Sequence, residues 1–363
     1  MTSSTFEQLV VLFETTDQRL RLQAAHSVNT ALVARNWLFG LYIVEFERGG
    51  AGRSEVYGKK LIADLASKLA SRGLKGTSPT NLRKFRAFYE AYPEIQQTVS
   101  VESADKLLSR LVDPRVLESL REQWASRFKL GWSHYVTLLT LSNSEERRFY
   151  EIEATVNSWS VRELERQIDS SLYERLALSR SKEEISQLAE QGLVVEKAAD
   201  IIKDPLVLEF LSLREEPSYS ESELESAIID RLEHFLLELG KGFLFEGRQK
   251  RFTFDSDHFY VDLVFYNRLL RCYVLIDLKR GKLTHQDLGQ MQMYVNHFDR
   301  SVKMDEEAPT IGIVLCHRKN EALVELTLPK DSNIYASEYQ LYLPSKEELQ
   351  QRLTGWIREV SQS

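Results

Sequence analysis

The chain has 363 residues, 28% charged and 43% hydrophobic, a globular composition with room for about two domains. Its 54 acidic residues outnumber its 47 basic ones, giving a net charge of −7. This excludes a disordered or collagen-like chain and argues against a surface coated with nucleic acid, while leaving room for a local basic patch. Cys272 and Cys316 stand in apolar stretches without C-x-x-C spacing, so neither a disulfide framework nor a cysteine zinc site is expected. A reducing, cytoplasmic setting fits. The N-terminal sequence lacks the pattern of a signal peptide, and the longest apolar run, residues 37–44, stops at Glu45, so no membrane association is expected.

From Leu9 to about Arg180 apolar residues recur at three and four positions, with stops at Gly49-Gly50, Tyr92-Pro93 and Asp113-Pro114. Residues 1–180 therefore read as an all-α domain. Between Asp64 and Glu90 there is no acid, while Lys68, Arg72, Lys75, Arg83, Lys84 and Arg86 are basic. The layout there is a helix over residues 61–71, a glycine-containing turn, Ser78 as N-cap, and Pro79 opening a second helix to Tyr89. It resembles a helix-turn-helix, with Arg83, Lys84 and Arg86 as candidate phosphate contacts. The alternative is a solvated face over an aromatic core of Phe85, Phe88 and Tyr89. Further on, Ser160 to Glu163 spells a capping box, and His134 reads as a packing residue.

Residues 181–204, rich in Glu, Lys, Ala and Gln, read as a polar helical connector closed by Pro205. The texture then changes. A helix (222–239), strands (242–254, 259–266, 272–279), a helix (284–297) and a strand (310–316) follow, then alternation over 334–343 and a closing helix over 345–360. The expected fold is α+β in two domains: the helical one, then an α/β domain of order αβββαβ over residues 205–363.

Side chains alternate along a strand, so Asp277 and Lys279 of the run VLIDLK share a face. A two- or four-residue turn after Tyr266 pairs even positions of the preceding strand with odd positions of this one, bringing Asp262 to the same face. Two carboxylates so placed repel each other unless a divalent cation lies between them, and Mg²⁺ takes such oxygen ligands. Lys279 could orient a metal-activated water or offset charge on a phosphoryl group. D-x-K alone is a weak motif, more often a surface ion pair than a site. A lone Asp inside FYVDLVFY is costly unless exposed or coordinated, which favours the site.

Residues 221–299 resemble the catalytic core of the PD-(D/E)xK (PDDEXK) nucleases, a restriction-endonuclease-like fold. The stretches LGKGFLFEGRQKR (239–251), YVDLVFYNRLLRCYVLIDLKRGK (260–282), GQMQMYVN (289–296) and TIGIVLC (310–316) carry the likeness, with GWSHY (131–135) and WSVRELERQI (159–168) earlier in the chain. Together they resemble, more narrowly, the YhcG-type family of bacterial nuclease-domain proteins. The resemblance implies a nuclease cutting DNA with Mg²⁺, Mn²⁺ substituting, in bacterial defence or mobile-DNA processing, as a homodimer or within an assembly of other subunits. It puts Asp262 and Asp277 on the metal and Lys279 in the lysine position. Val261 stands where the superfamily name has proline, and Asp277 is the shorter of the two permitted acids.

Glu225 matches the first-helix glutamate that many members contribute to the metal site. Ser222 to Glu225 also spells a capping box, which would occupy it otherwise. Gln290 and Tyr294, four apart on one helical face, resemble the Gln-x-x-x-Tyr element that lines the active site in some branches, helix packing being the alternative. Arg248 is a candidate phosphate contact in a basic turn. Motifs for nucleotide cofactors, zinc peptidases and serine hydrolases are absent, so no nucleotide cofactor is expected. A competing class is a catalytically silent DNA-binding or scaffold subunit; RNA cleavage is a third reading.

Overall fold

The computed structural model describes residues 6–23, 28–48, 55–92, 127–178, 180, 182–203, 205–213, 219–329, 332–342, 345 and 349–351. Two compact units emerge, Met1–Glu165 and Arg166–Ser363.

The first unit contains helices α1 (Phe6–Gln23), α2 (Val28–Arg48), α3 (Glu55–Ser71), α4 (Pro79–Ala91), α5 (Trp132–Leu138) and α6 (Ser144–Val156). Helix α7 (Val161–Asp169) spans the boundary. Ser78 caps α4, its side chain accepting the Asn81 amide at 3.3 Å, and Pro79 fills the first helical position where an amide donor would be orphaned. Gly40 lets α2 touch α4: a Cβ there would lie 2.1 Å from the Phe85 carbonyl oxygen. Phe88 meets Tyr92, Phe128, Trp132 and Tyr135 in an aromatic cluster. His134 is a packing residue, its Nε2 3.0 Å from the Trp159 carbonyl.

The second unit is organised by the apolar strands. Its six-stranded sheet has the order β1-β6-β5-β4-β3-β2, with β1 (Leu206–Val207), β2 (Phe243–Phe254), β3 (Asp257–Asn267), β4 (Cys272–Lys282), β5 (Ile311–Arg318) and β6 (Ile334–Gln340). Strands β2, β3 and β4 form an antiparallel meander; β4, β5, β6 and β1 run parallel. One face packs Leu224, Ile228, Phe235 and Leu239 on Leu263, Phe265, Ile276 and Leu278. The other packs Leu288, Met291, Tyr294 and Phe298 of helix α12 (His285–Ser301) on Val261, Val264, Leu275 and Val314. Both faces of β4 and β5 are thus covered, and both strands read as nearly continuous apolar runs. The helices on the first face are α10 (Glu221–Asp230) and α11 (Leu232–Leu239); α13 (Glu321–Thr327) follows β5.

Two expectations need correction, and two others gain detail. The single helix over 222–239 is two, separated at Arg231, whose φ of −122° leaves the helical region. The N-cap of α10 is Ser220, with Glu223 returning the bond to the Ser220 amide, so the capping box lies two residues earlier than Ser222–Glu225. Residues 166–203, expected as the end of the helical domain plus a connector, group with the second unit and include α8 (Leu172–Ala177) and α9 (Lys182–Gln191). Buried Arg175 accounts for this, because it pairs with Glu238 of α11. The basic face of α3 and α4 is partly neutralised: Arg72 pairs with Glu7 and Glu14, Lys68 with Glu7, and Arg86 with Glu47 and Glu90. The expected closing helix lies mostly outside the described residues.

Candidate active site

The β3–β4 hairpin sets the site's register. Buried Asn267 fixes the turn, its Oδ1 accepting the amides of Leu269 and Leu270 at 3.0 and 3.2 Å while its Nδ2 donates to the Lys241 carbonyl at 3.0 Å. Asn267 pairs with Cys272 and the ladder runs to Leu263 opposite Ile276; one step further sets Asp262 across from Asp277. There the strands part. Asp262 Oδ2 accepts the Leu278 amide at 2.8 Å, so a side chain takes a backbone donor beyond the last paired residues. Strict alternation of β3 breaks at the same point: Val261 packs under α12, whereas Leu263, two residues on, packs on the opposite face. Asp262 is the residue between them.

Asp277 is only 2% exposed, and its Oδ2 lies 2.7 Å from Lys279 Nζ. Burial and the nearby Asp262 charge push its carboxyl up to about 7, against the pull of Lys279. Burial draws the Lys279 ammonium down, but Asp277 more than offsets this and its pKa is raised. Lys279 therefore stays a cation. Glu221 Oε1 accepts the Arg280 amide at 3.1 Å, tying the first turn of α10 to β4 just beyond the lysine.

Glu225, released from capping, faces the sheet. It accepts from Gln249 Nε2 at 2.7 Å, and that nitrogen also donates to Asp262 Oδ1 at 3.0 Å. Burial, then the Asp262 charge, raises the Glu225 pKa against Gln249 and Arg248, which lower it. Arg248 itself is exposed on β2. Tyr294 is buried beneath the site, with Gln290 Nε2 donating to its hydroxyl at 2.5 Å; burial and the Asp277 charge push the phenol up to about 12.

Asp262, Asp277, Lys279, Glu225, Tyr294 and, through Tyr294, Gln290 thus share one neighbourhood. Arg83, Lys84 and Arg86 lie on α4 of the other unit. Gln249 was missed by the sequence reading. Its signal was the hairpin turn at Asp255-Ser256, both at positive φ: with Arg248 opposite Leu263 and Lys250 opposite Val261, Gln249 stands across from Asp262.

Among the described residues no three His, Cys, Asp or Glu side chains form a ready cage for a metal. Two carboxylates facing each other, one buried and held near neutrality, nonetheless match the oxygen set that Mg²⁺ uses alongside water and phosphate. Among the same residues no helix is long and apolar enough to cross a membrane.

The YhcG PDDEXK nuclease domain matches residues 199–354, and the DUF1016 N-terminal domain matches residues 14–175. Over 344 residues the chain is 40% identical to YhcG of Escherichia coli (strain K12), a protein provisionally named a nuclease, covering 92% of this chain and 89% of that one. A structural comparison aligns 35% of the chain with half the length of a repair endonuclease from Pyrococcus abyssi, at 20% identity and a TM-score of 0.24. The 40% identity over nearly the whole length, with both domains matched in order, makes the chain a member of the YhcG-type family of PDDEXK nuclease domain proteins.

Proposed function

We propose that the protein is a divalent-metal-dependent DNA endonuclease of the bacterial cytoplasm, hydrolysing phosphodiester bonds in defence or in processing mobile DNA. The observation that carries this reading is Asp277, a buried carboxylate pressed up to about 7 by burial and by Asp262, with a lysine 2.7 Å away. A structural ion pair gains nothing from a second carboxylate in that position; a cation site needs one.

Asp262 and Asp277 would hold Mg²⁺, or Mn²⁺ in its place, with Glu225 reaching it directly or through water. When bound, the ion supplies an activated water and offsets negative charge on the phosphoryl oxygens. Lys279, cationic at neutral pH, donates to the attacking water or to a non-bridging oxygen and steadies the charge that builds there. The Asp262 bond to the Leu278 amide fixes the carboxylate's direction, and Tyr294 with Gln290 forms the floor beneath Asp277. The helical unit supplies targeting contacts. Arg83 is exposed and Lys84 partly so, whereas Arg86 is engaged by two glutamates and contributes least. Arg248 is the corresponding phosphate contact beside the site. Two copies would cut both strands of a duplex.

The test incubates purified full-length protein with supercoiled, linear, branched and single-stranded DNA and with RNA, in Mg²⁺, Mn²⁺ or chelator. DNA should be cut with metal and spared with chelator, and Asp277→Asn should bind the duplex while losing at least about a hundredfold in cleavage rate. Cutting by Asp277→Asn at the parent rate would defeat the catalytic assignment. Binding without cutting by the parent in any metal would favour a silent subunit.

A further inference from the structure

We propose that Gln249 belongs to the active site, where it sets the spacing of Glu225 and Asp262 and offers its carbonyl oxygen to the cation as a neutral ligand. The inference rests on the metal-site reading above and deepens it.

One nitrogen, Gln249 Nε2, lies 2.7 Å from Glu225 Oε2 and 3.0 Å from Asp262 Oδ1. Ionised carboxylates only accept, so the NH₂ end of the amide must face them. A donor bridging two carboxylates occupies the place where a shared cation would touch both. The amide thereby holds two mutually repelling groups together when no metal is bound.

The backbone supports a built position. Gln249 has a φ of +46°, a left-handed conformation that costs a non-glycine residue free energy and persists only where its surroundings enforce it. The immediate neighbours are paired, Arg248 with Leu263 and Lys250 with Val261, and the register shifts further back, between Phe245 and Gly247. The distortion thus sits at the residue whose amide bonds both Glu225 and Asp262.

Charge explains why an amide stands here. Glu225, Asp262 and Asp277 already form an acidic group in which the pKa values of Glu225 and Asp277 are raised. A fourth carboxylate would add repulsion to the metal-free protein. An amide gives two donors now and an oxygen on the same rotatable group: the terminal torsion of glutamine is broad and roughly two-fold, so the exchange needs little rearrangement. A cation entering between Glu225 and Asp262 would replace both hydrogen bonds and free the amide to present Oε1.

Mn²⁺ binding to the full-length protein, measured by calorimetry without nucleic acid, tests this alongside the thermal midpoint of the metal-free form. Gln249→Asn tolerates a left-handed backbone but is one methylene short; Mn²⁺ affinity should fall about tenfold and the metal-free midpoint should drop. Gln249→Glu keeps the reach and an oxygen; its metal-free form should be less stable than the parent, yet its Mn²⁺ affinity should equal or exceed the parent's. Parent-like Mn²⁺ affinity in Gln249→Asn, with binding lost in Asp262→Asn, would overturn the role of Gln249 and leave the metal site standing. Weaker binding by Gln249→Glu than by Gln249→Asn would overturn the oxygen-ligand role. A parent that binds no Mn²⁺, or whose binding survives Asp262→Asn, would overturn both this inference and the reading on which it rests.

Discussion

Two acids in the second unit are buried beside cations, and they behave in opposite ways. Glu238 on α11 is 1% exposed, yet its carboxyl is held below the ordinary range: burial pushes it up, but Arg175 and Lys203 pull it down further. Every part of that cluster is satisfied. The two Arg175 terminal nitrogens donate to the two Glu238 oxygens, its Nε to the Ser170 carbonyl at 2.8 Å, and the Val207 amide to Glu238 Oε1 at 3.0 Å. Asp277 is as deeply buried but has one ammonium and a second carboxylate for company, and its pKa moves the other way. The first arrangement holds α8 and α11 together. The second sets two carboxylates against one ammonium, and on the proposed reading that difference separates scaffold from site.

Removing the cation from each pair gives the largest contrast. Arg175→Met leaves Glu238 buried and stripped of its main partner, and breaking a buried pair in this way costs about 3–5 kcal/mol. Lys279→Met should cost less than about 1 kcal/mol, because Asp277, already near neutrality, can take up a proton. The denaturation midpoints of the two variants measure this directly. Cleavage should show the reverse order, lost in Lys279→Met and retained by the folded fraction of Arg175→Met. Equal loss of stability in both would erase the distinction.

Much of the site was legible in the sequence, for reasons that also mark where legibility stops. The alternation of VLIDLK and an even turn fixed by Asn267 were enough to set Asp262 across from Asp277, because register follows from local geometry. The cap of α10 was not legible. Ser220 with Glu223 and Ser222 with Glu225 spell the same pattern two residues apart, and contacts from other elements, Gln249 to Glu225 and Arg280 to Glu221, accompany the earlier frame. The break at Arg231 has neither glycine nor proline to announce it. Arg72 counts toward a positive patch in the sequence because its partners, Glu7 and Glu14, lie 65 and 58 residues away. Gln249 was hidden because placing it requires the register set by the turn at Asp255-Ser256, and the positive φ at Gln249 itself is recorded by neither composition nor periodicity.

The acid limb of stability sharpens the comparison from the Glu238 side. A carboxyl whose folded pKa is depressed contributes stability above its unfolded value and loses it as pH falls through the folded value. Glu238→Gln forfeits charge-assisted bonds and should unfold about 2 kcal/mol more easily than the parent near neutral pH. That deficit should shrink once pH drops below the ordinary glutamate value of 4.5. Urea titrations across pH would follow it, and a deficit independent of pH would mean that Glu238 acts by shape rather than by charge.

The last effect runs in the opposite direction and bears on Asp277 alone. Its folded pKa is raised from 3.8 to about 7, so between those values the unfolded chain releases a proton that the native state keeps, and the native state loses stability as pH rises. Asp277→Asn cannot ionise and escapes this penalty, which is already net of the attraction to Lys279. In chelator the variant should therefore be more stable than the parent near pH 8, an advantage that grows between roughly pH 4 and 7, levels off above, and vanishes at lower pH. Added Mn²⁺ should reverse the order, because the parent gains binding energy that the variant cannot. A metal-free Asp277→Asn protein no more stable than the parent near pH 8 would place Asp277 beside Glu238 among the satisfied acids, and the contrast between the two clusters would no longer point to a cation site.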